Sequence, residues 1–140
     1  MTLQRFSVRV YGLLTNEKQQ ILVSHEHFDG IELVKFAGGG VELGEGIVAA
    51  LHREFREECD ITIAIQEHLY TTENLIISTF KPHVQVICVY YWVTTTDPIN
   101  HQLLPNIYTV WQDIAQISDN YFSYEGEQLA FCTLKKRLLL

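Results

Sequence analysis

Residues 38–61 read GGGVELGEGIVAALHREFREECDI, and the way this stretch divides sets how the rest of the chain is read. Gly38, Gly39, Gly40, Gly44 and Gly46 crowd its first half and mark a loop. From Glu42 to Cys59 there is no proline and the apolar residues fall at helical spacing, which predicts a helix over about 46–59. At roughly 100° per residue, Ile47, Val48, Leu51, Phe55 and Cys59 share one arc, and Glu54, Glu57 and Glu58 occupy the arc beside it. The carboxylates therefore sit at the rim of the buried face. Like charges at these spacings repel, by about 0.2–0.5 kcal/mol per pair. A solvated acidic face is one reading of such a trio. The other is a hard divalent cation, Mg²⁺ or Mn²⁺, whose preferred ligands are carboxylate oxygens. The glycine loop favours the second, because glycine lets backbone approach the same end of the helix. Arg53 stands beside the acids with a guanidinium fork suited to holding Glu45 or Glu57.

Outward from this segment the pattern changes to strands. Phe6, Val8 and Val10 alternate with Ser7, Arg9 and Tyr11, as in a strand with one buried face, and Ile21 to Val23 follow the polar turn Asn16-Glu17-Lys18. A hairpin is expected there. Ile61, Ile63 and Ile65 resume alternation after the helix. In Val84 to Val93 both faces are apolar, which predicts a central strand covered on both sides. Tyr108 to Ile114 begin with strand character, and a C-terminal helix is expected from about 126 to 137. Strands, helix, strands and helix in that order point to an α/β sandwich formed as a single domain over residues 1–140.

Composition narrows the function. Lys plus Arg number 10 against 17 Asp plus Glu, a formal net charge of −7, which disfavours an unaided electrostatic grip on nucleic acid or on an anionic membrane. A polyanionic substrate would need a bridging cation. Cys59, Cys88 and Cys132 are far apart and form no Cys-x-x-Cys pair, so reduced cytoplasmic thiols are expected rather than a disulfide framework or structural zinc. The N-terminal residues lack the features of a secretory signal. The uncharged run from Val84 to Val93 is about half the roughly 20 residues that a membrane-spanning helix requires.

Gly39, Glu45, Arg53-Glu54-Phe55, Glu57-Glu58 and Asp60-Ile61, at their observed spacing, resemble the Nudix box of the Nudix hydrolase family, with Gly38, Gly40 and Glu42 matching its usual lead-in. The resemblance implies a Nudix-type α/β/α sandwich with a mixed central sheet. It also implies hydrolysis, with Mg²⁺ or Mn²⁺, of a nucleoside diphosphate linked to another moiety. Carried over residue by residue, it makes Glu54, Glu57 and Glu58 metal ligands, adds the Gly38 or Gly39 carbonyl, and has Glu45 and Arg53 orient them. The general base is expected either in the box, as Glu54 or Glu57, or ahead of the last helix, as Glu125 or Glu127. Two positions depart from the family pattern. Asp60 stands where glycine usually ends the helix, and Asp tolerates the left-handed conformation at a cost on the order of 1 kcal/mol. Ala37 replaces a frequent proline.

Substrate identity is less sharply marked. Residues Thr62 to Pro82 carry neither the proline nor the tyrosine spacing of the ADP-ribose or dinucleoside polyphosphate subgroups. Gly38, Gly39 and Gly40 are expected to line the substrate, Lys35 or His25 to contact phosphate, and Asn120 to read a base edge. Tyr11, Phe28, Phe122 and Tyr124 are aromatic candidates for stacking on the base, each equally suited to ordinary packing. The resemblance allows a homodimer. Competing readings are a nucleotide-sensing domain that does not cleave, and an isoprenyl diphosphate isomerase on the same fold. The latter needs a pocket cysteine, whereas Cys88 is expected to pack in the central strand.

Overall fold

In the computed structural model, which describes residues 2–140, the strands divide between two sheets. The elements in chain order are β1 (Arg5–Leu14), β2 (Gln20–Phe28), β3 (Ile31–Lys35), β4 (Ala37–Gly40), α1 (Ile47–Cys59), β5 (Ala64–Thr71), β6 (Val84–Thr94), β7 (Ile107–Asp113) and α2 (Glu125–Arg137). The first sheet has the order β4-β1-β6-β5; β1 and β6 run parallel and the other pairs antiparallel, so the sheet is mixed. The second, β3-β2-β7, is antiparallel.

The two helices cover opposite faces of the mixed sheet. On one side Leu51, Phe55 and Cys59 of α1 pack with Val10, Leu14, Val89 and Val93. On the other, Ala130, Phe131 and Leu134 of α2 pack with Tyr11, Leu13, Cys88 and Tyr90. Strand β6 supplies both cores from alternate residues, as its two apolar faces require. The helices fall within a residue of the expected limits, and the architecture is the α/β/α sandwich. No helix among the described residues is long and apolar enough to cross a membrane.

Four expectations need correction. Strands β1 and β2 do not form a hairpin ladder: beyond the turn they share only the bridge Thr15–Ile21 and then enter different sheets. The reason is competition, since β1 is already paired on both edges by β4 and β6, and β2 by β3 and β7. Nor does β1 have a single buried face. Val10 and Tyr11 are both buried, in opposite cores, whereas Phe6 is 64% exposed at the strand's free end. Ile47 and Val48 are exposed because α1 meets the sheet only from Ala50 onward. Strand β5 begins at Ala64, so Ile61 and Ile63 are buried in the connection ahead of it.

Candidate active site

The site forms where α1 lies beside the edge strand β4. Val41 N–H donates to Val8 O at 2.8 Å, which fixes the ladder phase and turns the polar backbone groups of Gly38 and Gly40 outward, toward α1. Two side chains of the helix meet them. Gly38 N–H donates to Glu58 Oε2 at 2.9 Å, and Arg53 Nη2 donates to Gly40 O at 2.9 Å. Glycine is required at Gly38. Gly38 has φ +150°, and a Cβ there would lie 2.1 Å from Val10 O. A Cβ on Gly39 would lie 2.6 Å from Glu54 Oε1, so the Glu54 carboxylate rests directly against the strand.

Arg53 organises the acids. Its Nε and Nη2 donate to Glu45 Oε2 and Oε1 at 3.0 and 2.5 Å, the expected fork, and its Nη1 donates to Glu54 Oε1 at 3.0 Å and to Glu57 Oε2 at 3.3 Å. Hydrogen bonding to Arg53, with help from the Glu42 N–H, holds the Glu45 carboxyl down at about 2. Glu45 in turn raises the Arg53 pKa, so this pair is permanently charged. Burial pushes Glu54 up, with Arg53 opposing. Burial also pushes Glu58 up to about 7, against the pull of Lys35 and the Gly38 N–H and with Glu54 and Glu26 adding to the rise. The Glu57 side chain is 56% exposed. Among the described residues no three His, Cys, Asp or Glu side chains converge on one point, because Arg53 draws Glu54 and Glu57 while Gly38 holds Glu58. The helix ends at Asp60 with φ 55° and ψ 44°, the left-handed conformation expected of that substitution.

Of the other sequence candidates, Lys35 comes nearest. Its ammonium is paired with Glu26 Oε2 at 2.5 Å and lies within the field of Glu58. His25 makes its contacts elsewhere, bonding Glu32 Oε1 through Nδ1 at 2.8 Å and stacking on Tyr108 at 4.8 Å. Asn120 sits in an exposed turn, where its Oδ1 accepts from Ser118 Oγ. Glu127 is buried and its Oε1 accepts the Tyr124 N–H at 3.1 Å, which makes it a cap for α2. Glu125 is exposed beside a crevice of about 70 Å³ formed with Tyr70, Thr72 and Leu129. Tyr11 and Phe122 are core residues, Phe28 and Tyr124 are exposed, and Cys88 is buried in β6. A larger hollow, of about 440 Å³, runs along β7 between Gln20 and Gln116. Neither hollow is lined by the box acids, so the site is an open strip of backbone. Sequence reasoning missed Arg9, which it placed among the outward-facing polar residues of β1.

The NUDIX domain family matches the chain over residues 5–130. No curated protein matches it. Among solved structures, the MutT protein from Methanosarcina mazei Go1 superposes with a TM-score of 0.76 at 18% identity, covering 96% of each chain. The MutT NUDIX hydrolase from Burkholderia pseudomallei gives a TM-score of 0.76 at 14% identity, over 94% of this chain and 99% of that one. A NUDIX hydrolase from Nitrosomonas europaea gives 0.70 at 17% identity, over 94% and 89%. At such identities the likeness is one of fold.

Proposed function

The chain belongs to the NUDIX family of diphosphate-bond hydrolases, and on that footing we propose that it cleaves a nucleotide substrate with Mg²⁺ or Mn²⁺ held by Glu54, Glu57 and Glu58. The observation that carries this reading is the Glu54 carboxylate lying against Gly39, with the fork of Arg53 tying Glu45, Glu54 and Glu57 to the Gly40 carbonyl. The donor set fits the group in its chemistry, and its carboxylates converge once the contacts with Arg53 and Gly38 give way. Three carboxylates within about one helical turn are hard ligands, and the outward-facing Gly38 and Gly40 place carbonyl oxygens beside them. When bound, the cation supplies charge neutralisation for the diphosphate and a lowered pKa for a water.

The chain's own residues do the rest. The strip Gly38–Gly40 offers backbone that a diphosphate can approach without side chains in the way. Glu45, locked as an anion by Arg53, keeps that guanidinium in register with the strand, so the acids stay grouped before substrate arrives. Glu57, the most exposed of the three acids, faces water and takes the proton as the water attacks phosphorus. Lys35, which lies within the field of Glu58, contacts substrate phosphate once Glu26 gives it up. The products are a nucleoside monophosphate and the phosphorylated remainder.

The test is a phosphate-release screen over nucleoside triphosphates, nucleotide sugars, ADP-ribose and dinucleoside polyphosphates, with and without each cation. Cation-dependent release from at least one substrate supports the reading; binding without cleavage of any of them sinks it in favour of a sensor.

A further inference from the structure

Arg9 lies on β1 between Gly40 of β4 and Cys88 of β6, on the same face of the sheet as Tyr11. Its Nε donates to the Tyr11 hydroxyl at 2.6 Å, and its guanidinium carbon stands 5.7 Å from the Tyr11 ring centroid. Tyr11 is itself immobilised, buried and stacked on Tyr90 at 5.5 Å. The guanidinium is thus held by one bond from a rigid partner, and its two terminal nitrogens have no hydrogen-bond partner among the described residues. Nη1 faces the glycine strip: it is the single heavy atom within 4 Å of the position that a Cβ on Gly40 would take, at 3.8 Å.

In a chain of net charge −7, an inward-facing arginine with no carboxylate at ion-pair distance is out of pattern. Among the described residues the other half-buried cations, Lys35, Arg53 and Lys135, all have acid partners, and Arg9 does not. Its neighbours Tyr11, Cys88 and Glu54 more than offset the cost of its burial and keep it charged. A half-buried, positioned guanidinium with two free N–H pairs presents the fork geometry that binds phosphate through parallel hydrogen bonds.

We propose that Arg9 binds a phosphoryl group of the substrate, seated over Gly40 on the face of the sheet opposite Glu54. This rests on the reading of the glycine strip as the diphosphate site. The strip then has two unlike walls: carboxylates from α1 on one side and a preset guanidinium on the other. Because Glu26 already neutralises Lys35, the uncompensated positive charge on this wall is that of Arg9.

The test uses the full chain and inorganic pyrophosphate as probe, titrated by calorimetry in excess chelator so that no cation contributes. Wild type should bind, and Arg9→Gln should weaken binding about tenfold or more, the loss of one charged fork. Arg9→Lys keeps the charge without the fork, so it should recover only part of the affinity, and it keeps the test decisive if Arg9→Gln fails to fold. Arg5→Gln, at an exposed position of the same strand, should bind as wild type does. With cation and a cleaved nucleotide, Arg9→Gln should raise KM more than it lowers kcat. No pyrophosphate binding by wild type, unchanged binding in Arg9→Gln, or an equal loss in Arg5→Gln overturns the proposal. If no diphosphate is cleaved while pyrophosphate binding still depends on Arg9, the hydrolase reading fails and the phosphate seat stands.

Discussion

The two helices have the same length, 13 residues, and opposite logic. Helix α2 places its charges as the helix dipole favours, with Glu125 in its first turn and Lys135, Lys136 and Arg137 in its last, and the Glu127 side chain closes the cap on the Tyr124 N–H. Helix α1 does not. Its N-cap is Gly46 with no side-chain bond, its first turn carries no acid, and Glu54, Glu57 and Glu58 cluster toward the end where the helix dipole disfavours negative charge. What holds α1 in place is the burial of Ala50, Leu51, Phe55 and Cys59 against the sheet. Its charges are arranged against its own stability, as the proposed cation site beside the glycine strip requires.

The contrast breaks most directly at the α1 acids. Glu54→Gln, Glu57→Gln and Glu58→Gln should each lower turnover by at least about 10²-fold, the size of one lost electrostatic catalytic contact. Their melting temperatures should stay level or rise, because like-charge repulsion is relieved. Parallel loss of fold and turnover would mean that the acids serve structure. Gly38→Ala is expected to cost about 2 kcal/mol or more, since the new Cβ meets backbone and the φ is strained, and denaturant melts would show it. A tolerated alanine would mean that α1 and β4 do not need their close approach.

The α2 side is probed by pH. Burial pushes the Glu127 carboxyl up to about 8, above its unfolded value, so the stability it contributes is complete in acid and is lost as pH rises through that value. Glu127→Gln keeps a capping side chain but cannot ionise. Relative to wild type it should gain at least about 1 kcal/mol between roughly pH 5 and pH 9, each pKa unit being worth about 1.4 kcal/mol. Urea melts at both pH values would check this, and a constant difference would contradict it. The smallest effect is expected at the C-terminus of α1. Asp60→Gly relieves a left-handed residue and removes a charge from the negative end of the dipole, so turnover should be kept and stability should rise by up to about 1 kcal/mol. Loss of turnover there would make Asp60 a functional acid.

Legibility tracked how local the cause was. The limits of α1 and the left-handed Asp60 were readable because spacing along one short segment determines them, whereas the fork of Arg53 was readable only as a choice between Glu45 and Glu57, which the fold resolves to Glu45. The central position of β6 was readable from its two apolar faces. The partition of β1 and β2 was not, because it depends on pairing with β6 and β7 at long sequence separation. Arg9 escaped notice for the same reason: alternation marks it as outward, and only the α2-side core makes that face an interior one. His25 and Asn120 were candidates by residue type alone, and the folded chain satisfies them with Glu32, Tyr108 and Ser118.

The central claim is that the acids of α1 exist to hold a divalent cation, and Mn²⁺ titration followed by the resonance of the free ion tests it without reference to substrate. Wild type should bind Mn²⁺, and the combined Glu54→Gln, Glu57→Gln and Glu58→Gln variant, folded by its melting curve, should not. Equal Mn²⁺ affinity in the two proteins would contradict the account.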